Sequence, residues 1–98
     1  MEIKTISNTE IEVIGNIKTI DDSTALRDAV QRLFEGGSTA IIIKIQDSFA
    51  MPSAVVGYFM KLVNRDKVKL TILAGDPRLA ELLDELQLTA VLNVRRLA

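Results

Sequence analysis

The segment that most constrains the fold is the apolar run over residues 40–45, in which five of six residues are apolar and four are isoleucine. A run this short and this rich in β-branched side chains predicts a strand buried on both faces. Pro52 follows after a short loop, and proline is favoured in the first turn of a helix because its missing N–H would have no intrahelical partner. The sequence therefore predicts a strand, a loop and a helix over residues 52–64.

Ser53 falls in the first turn of that predicted helix. The free backbone N–H groups and the positive end of the helix dipole favour an anion at this position. A serine there can carry a phosphate, or it can simply cap the helix by accepting a backbone hydrogen bond. Both interpretations of Ser53 stay open at the level of the sequence.

The other elements follow from hydrophobic periodicity and turn residues. Residues 1–6 and 10–14 predict a β-hairpin. A first helix is predicted from an apolar stripe that Gly36 and Gly37 terminate, and its members are Leu26, Ala29, Val30, Leu33 and Phe34. A third helix is predicted after Asp76 and Pro77 from the stripe Leu79, Leu82, Leu83 and Leu86.

Two further strands are predicted at residues 68–74 and 88–94, followed by a short tail over residues 95–98. The expected fold is a single α/β domain over residues 1–98 in the order β-β-α-β-α-β-α-β. It has a mixed sheet with an N-terminal hairpin and central parallel strands flanked by helices, joined by right-handed crossovers.

Composition excludes several function classes. The chain has no cysteine and no histidine, which removes histidine-dependent nucleophilic triads and the usual zinc ligands. A net charge of −1 argues against a nucleic-acid binder. There is no glycine-rich phosphate loop, no apolar stretch near the ~20 residues of a membrane span and no export signal. We expect a cytoplasmic, non-enzymatic domain without cofactor or metal.

Three segments resemble landmarks of the STAS domain family of sulphate transporters and anti-sigma-factor antagonists. Residues 52–57, Pro-Ser-Ala-Val-Val-Gly, stand where the family has Asp-Ser-Ser-Gly-Leu-Gly after the central strand. Residues 15–18 stand in place of a Gly-Glu-Leu-Asp segment, and residues 75–77 match a Gly-x-Pro turn into a leucine-rich helix. The resemblance spans essentially the whole chain and implies the STAS fold.

The resemblance also implies a function. The family's regulatory serine falls on Ser53. In the bacterial members of the family, the unphosphorylated domain binds an anti-sigma kinase, and phosphorylation of this serine releases the domain from that kinase. The implied partner is a serine kinase of that type or a multi-protein signalling complex. The helix over residues 52–64 is apolar over a wide arc, which favours an exposed apolar edge. The expected docking residues are Asp21, Asp22, Ser23, Met51, Pro52, Ser53, Val56 and Gly57.

Several alternatives accompany this interpretation. Pro52 replaces the family's acidic residue, so a constitutive docking subunit of a transporter or signalling complex is the second hypothesis, with a homodimer as one form of it. Ser48 is the second candidate phosphoacceptor. Asp47 resembles the phosphoacceptor of receiver domains, a chemistry that would need acids such as Asp21 and Asp22 to hold Mg²⁺.

Overall fold

The computed structural model describes residues 1–97, and its elements follow the predicted order. The strands are β1 (Glu2–Thr5), β2 (Glu10–Ile14), β3 (Ala40–Ile45), β4 (Lys69–Ala74) and β5 (Val94–Arg96). The helices are α1 (Ile20–Glu35), α2 (Ser53–Asn64) and α3 (Pro77–Glu85). The prediction of a mixed α/β fold with an N-terminal hairpin is confirmed. None of the helices in this described part has the length and apolar character that a membrane span requires.

The five strands form one sheet in the order β1-β2-β3-β4-β5. β1 pairs antiparallel with β2, and the remaining neighbours pair in parallel. Each β-α-β crossover therefore moves one strand further in the same direction across the sheet. Because such crossovers are right-handed, α1, α2 and α3 all lie on the same face.

The hydrophobic core lies between that face and the helices. The strands contribute alternate residues that are buried, namely Ile11, Val13, Ile41, Ile43, Ile45, Leu70, Ile72 and Ala74. The helices contribute Leu26 and Val30 from α1, Phe59 from α2 and Leu83 from α3, all of them fully buried. This packing fixes the directions of the helices and the positions at which they begin.

The prediction that residues 40–45 are buried on both faces is wrong. Ile41, Ile43 and Ile45 are fully buried, whereas Ile42 and Lys44 are partly exposed on the opposite face. The reason is topological, because all three crossovers run over one side of the sheet. The strand is central in the strand order but covered on one side.

The prediction of a last strand over residues 88–94 is also wrong. Residues 89–93 form turns, and the Leu92 N–H donates to the Leu88 carbonyl at 2.9 Å. The Leu92 side chain is fully buried in the core. Asn93 has a positive φ of 49° and leads into β5, which contains Arg95 and Arg96 of the predicted tail. Ala98, the last residue of that tail, lies outside the described residues.

Candidate functional site

Three loops lie together at the carboxyl edge of the parallel strands, where the strands of such a sheet end side by side. The loops span residues 15–19 after β2, residues 46–52 after β3 and residues 75–76 after β4. We call them the carboxyl-edge loops. This is the edge at which open α/β sheets usually present their binding residues.

Ser48 joins the first two of these loops from inside the protein. Its side chain is completely buried, with 0% exposure. The hydroxyl accepts a hydrogen bond from the Ile17 N–H at 3.1 Å and donates one to the Ala50 carbonyl at 2.7 Å. The hydroxyl therefore both accepts and donates a hydrogen bond. Because it is buried, a kinase could reach it only after the loops had opened.

Two more hydrogen bonds hold the same loops together. The Gly15 N–H donates to the Asp47 carboxylate at 2.7 Å, and the Phe49 N–H donates to the Asn16 side-chain oxygen at 3.2 Å. Asp47 is the residue that resembles the phosphoacceptor of receiver domains. In this structure its carboxylate accepts a backbone hydrogen bond from the neighbouring loop. Within residues 1–97 no group of three or more acidic side chains is arranged to hold a metal ion.

The third loop closes tightly against the second. A Cβ added at Gly75 would lie 1.9 Å from the Gln46 carbonyl oxygen, so only glycine fits there. Asp76 caps α3 by accepting the Arg78 N–H at 2.8 Å, and its carboxylate also pairs with the Arg78 guanidinium at 2.7 Å. The same guanidinium lies 4.7 Å from the centre of the Phe49 ring, a cation–π contact.

Ser53 is exposed at the first position of α2. The preceding residue, Pro52, occupies the N-cap position and supplies no side-chain hydrogen bond to the helix. The first N–H groups of a helix have no intrahelical acceptor, so those of Ser53 and Ala54 point out of the helix end. Ser53 does not act as the N-cap residue, which was one of its two predicted roles.

A capping box begins α1. Thr19 accepts the Asp22 N–H at 3.0 Å, and the Asp22 carboxylate accepts the N–H groups of Lys18 and Thr19 at 3.0 and 3.1 Å. These backbone hydrogen bonds, from Lys18 first and then Thr19, hold the pKa of Asp22 below its usual range. Asp21 and Asp22 both lie in the first turn of α1, where the positive end of the helix dipole favours acidic side chains.

A pocket of about 330 Å³ lies between the beginnings of α1 and α2. Its lining combines two cations, four hydroxyls and a few apolar groups: Lys18, Thr19, Ile20, Ser23, Thr24, Arg27, Pro52, Ser53 and Ala54. Both helices direct the positive ends of their dipoles toward this region. Two cations and the starts of two helices therefore lie near the accessible Ser53, beside Asp21 and Asp22 in the first turn of α1 and with Asp28 3.5 Å from Arg27.

Two apolar side chains stand out from the same edge. Ile20 is 85% exposed and lines the pocket, and Phe49 is 42% exposed beside Arg78. Exposed apolar groups of this size, surrounded by polar and charged ones, are typical of protein-binding surfaces. The carboxyl edge thus presents apolar groups, cations and a free hydroxyl within one region.

The structure brings three of the eight docking residues expected from the sequence into one pocket. Ser23, Pro52 and Ser53 line the pocket. Asp21 is exposed in the first turn of α1 and is not part of the pocket's lining. Met51 is buried, at 7% exposure, and belongs to the core, so it does not contribute to a docking surface.

The expected helix edge is only partly accessible. Val56 is half-buried and packs against the core. Gly57 is exposed, and a Cβ added there would have no neighbour within 4 Å. The α2 edge therefore offers a narrower surface than its sequence indicates, and the pocket lies beside it at the N-terminal end of the helix.

Several residues of the pocket escaped the sequence-based reasoning. Thr19 is one of them, although its position three residues before Asp22 is typical of a capping box. Ile20 and Arg27 gave no such signal in the sequence. Ile20 stands at the boundary of α1, and Arg27 lies off the apolar stripe of that helix. Only the packing of α1 beside α2 places them next to Ser53.

No protein-family model matches this chain, and a search of curated proteins finds no match. What the chain does is therefore inferred from the residues of the carboxyl edge.

The capping box predicts a pH dependence. Because the pKa of Asp22 is lowered in the folded state, its stabilising contribution is present above the ordinary carboxyl pKa of about 4 and is lost as pH falls through the folded-state value. We expect Asp22→Asn to lower Tm at pH 7, and the gap from wild type to shrink below pH ~4. Thermal melts followed by circular dichroism between about pH 2 and 7 measure this gap.

The matched control is Asp21→Asn, in the same helical turn but outside the capping box. Its Tm should stay close to that of the wild type across the range. A gap for Asp22→Asn that is the same at every pH would contradict the role assigned to its carboxylate.

Proposed function

We propose that this chain is a non-catalytic interaction domain of the STAS type that acts in the cytoplasm. It docks a protein partner through its carboxyl edge and is switched by phosphorylation of Ser53. The observation that carries the proposal is the contrast between two serines. Ser53 is exposed in a pocket that Lys18 and Arg27 also line, whereas Ser48 is fully buried and its hydroxyl both accepts and donates a hydrogen bond.

Electrostatics supports a phosphate at this position. A phosphoserine carries about −1.5 to −2 charges at neutral pH. The start of α2 and the nearby start of α1 both favour negative charge, and Lys18 and Arg27 line the same pocket as Ser53. The domain can therefore accept the phosphate without rearranging its fold. The main effect of the phosphate is on the affinity for the protein partner that binds at this edge.

The surface chemistry indicates what a partner must look like. Ile20 and Phe49 call for an apolar patch on the partner, and Lys18 and Arg27 call for acidic groups around that patch. A phosphate on Ser53 would neutralise the two cations and repel the partner's acids, which weakens binding. An anti-sigma-type serine kinase, or a signalling complex that contains one, fits the proposal.

Pro52 favours a second candidate function. It replaces the acidic residue of the STAS signature immediately before Ser53, and a kinase that uses this acid would lose a contact. In that case the chain is a constitutive docking subunit of a signalling or transport complex. It would use the same edge of the sheet with no phosphorylation.

Charge substitutions at Ser53 separate the two candidates. The partner is first co-purified with the tagged chain from its native host, and its affinity is then measured by calorimetry. We expect Ser53→Asp to weaken binding by roughly tenfold or more, and Ser53→Ala to bind like the wild type. Constitutive docking predicts equal affinities for all three proteins.

A negative charge elsewhere provides the control. Ser7 lies in the exposed turn of the N-terminal hairpin, at the opposite edge of the sheet. Ser7→Asp adds the same charge and should leave the affinity unchanged. Equal weakening by Ser7→Asp would show that overall charge, and not the pocket, determines binding.

A further inference from the structure

β1 forms one edge of the sheet, and the proposed function does not use this edge. The Ile6 N–H donates to the Glu10 carbonyl at 2.9 Å, so the backbone groups of the even-numbered residues along β1 face β2. Since the direction of these groups alternates along a strand, the N–H and C=O groups of Ile3 and Thr5 point away from the sheet. β1 therefore presents backbone donors and acceptors to which a further strand can add.

The charged side chains of β1 continue a row of charges that crosses the sheet. Lys4 stands opposite Glu12 of β2, which stands opposite Lys44 of β3. The Glu12 carboxylate lies 3.7 Å from the Lys44 ammonium. This row alternates in sign and ends at the edge on the exposed Lys4. Glu2, two residues earlier, stands opposite Ile14 and is also exposed, so the edge presents one carboxylate and one cation.

This spacing of charges fits an antiparallel pairing of β1 with β1 of a second copy. With the Ile3 residues of both copies at the two-fold axis, Glu2 of each copy lies directly opposite Lys4 of the other. Two pairs of opposite charge result. Within the paired strands, like charges stand only on the diagonal, at the larger separation of roughly 7–8 Å. The alternating row then continues across the edge, in the order Lys44, Glu12, Lys4 and Glu2 of the second copy.

The same charges disfavour the neighbouring registers. Antiparallel strands exchange hydrogen bonds between residues whose backbone groups face each other, so the two-fold axis moves one residue at a time. An axis at Lys4 places the two lysines opposite each other, and an axis at Glu2 does the same with the two carboxylates. A lysine in an edge strand normally discourages pairing. Among these three registers, only the axis at Ile3 places an acid opposite it.

Ile3 adds an apolar contact on the face of the sheet that carries the helices. Its side chain packs against the core but is only half-buried, because β1 has a neighbouring strand on one side only. With the axis at Ile3, the two Ile3 side chains become direct cross-strand neighbours. Each then covers part of the surface that the other leaves exposed.

We propose that β1 pairs antiparallel with β1 of a second copy of this chain, with Ile3 at the two-fold axis, in an isologous dimer. The two sheets of five strands join into one continuous sheet. The axis is perpendicular to the sheet and reverses the strand directions, so the carboxyl-edge loops of the two copies lie at opposite ends. Each Ser53 pocket stays accessible, and the dimer does not depend on phosphorylation.

Single charge reversals test this pairing. An edge of four residues makes a small interface, so sedimentation velocity is run at concentrations up to about 1 mM, where the wild type should be dimeric. Glu2→Lys places lysines opposite each other and Lys4→Glu places carboxylates opposite each other. Each variant alone should raise the Kd about tenfold or more. An equimolar mixture should restore the dimer, because the lysines of one chain then meet the glutamates of the other.

The control for charge is Glu81→Lys, on the exposed side of α3, which should leave the dimer intact. Cysteine pairing locates the interface, because the chain contains no cysteine of its own. Directly opposite side chains of this kind lie within disulfide reach, so mixed Glu2→Cys and Lys4→Cys chains should form a disulfide-linked dimer in air. A wild-type chain that stays monomeric at about 1 mM, a dimer without this cross-link, or charge variants that are folded by circular dichroism but fail to pair when mixed would overturn the proposal.

Discussion

Gly75→Ala is expected to lower the free energy of unfolding by about 3 kcal/mol, the upper end of the range typical of a side chain forced into filled space. The added Cβ would lie 1.9 Å from the carbonyl oxygen and 2.7 Å from the carbonyl carbon of Gln46. Both are backbone atoms, so no side chain can rotate away. The ends of β3 and β4 would have to separate, and the loop that leads to Ser53 would move with them. Urea denaturation followed by circular dichroism measures the loss.

Gly57→Ala is the matched control for this substitution. Gly57 lies inside α2, and an added Cβ would meet nothing within 4 Å. Alanine should therefore stabilise the helix by about 0.5–1 kcal/mol through its higher helix propensity. A Gly75→Ala protein with the wild-type unfolding midpoint would contradict the tight closure of the loops.

The second large effect is expected for Ser48→Ala, which should destabilise the domain by about 1–3 kcal/mol. The substitution removes the acceptor of the Ile17 N–H and the donor to the Ala50 carbonyl. The buried Ile17 N–H and the part-buried Ala50 carbonyl would then both lack these partners, and unsatisfied buried polar groups are costly. The same urea denaturation measures the change.

Ser53→Ala is the control for Ser48→Ala, because Ser53 is exposed and supplies no cap to α2. Its free energy of unfolding should stay within about 0.5 kcal/mol of the wild type. Equal losses for the two serines would mean that the buried hydroxyl does not hold the loops together.

The fold was largely predictable because local signals agree with the tertiary structure. The Gly36-Gly37 pair predicted the end of α1, and Gly37 does adopt a positive φ of 100° while the Ser38 N–H donates to the Leu33 carbonyl. Asp76 and Pro77 predicted the start of α3 and occupy its N-cap and first helical position. These signals depend on residues only a few positions apart.

The errors occurred where local pattern and tertiary structure differ. Leu88 and Leu92 are four residues apart, a spacing that suits a helical turn, yet the β-branched Thr89 and Val91 between them favour a strand. The isoleucines of residues 40–45 form a continuous apolar run, and sequence alone does not show that every crossover lies on one side of the sheet. Topology decided which of these isoleucines are buried.

The candidate site was predictable only in part for the same reason. Pro52 located Ser53 at a helix start. The burial of Ser48, in contrast, depends on a bond to Ile17, 31 residues earlier in the chain. The pocket depends on Lys18 and Arg27 lying beside α2. Contacts between distant segments of this kind leave no periodic or spacing signal in one sequence.

The most direct test of the proposed switch is phosphosite mapping on the chain isolated from its native host, in the partner-bound and the free fractions separately. We expect a phosphate on Ser53 in the free fraction, an unmodified Ser53 in the bound fraction and no phosphate on the buried Ser48. A Ser53 that is unmodified in both fractions, or phosphorylated equally in both, would contradict the switch.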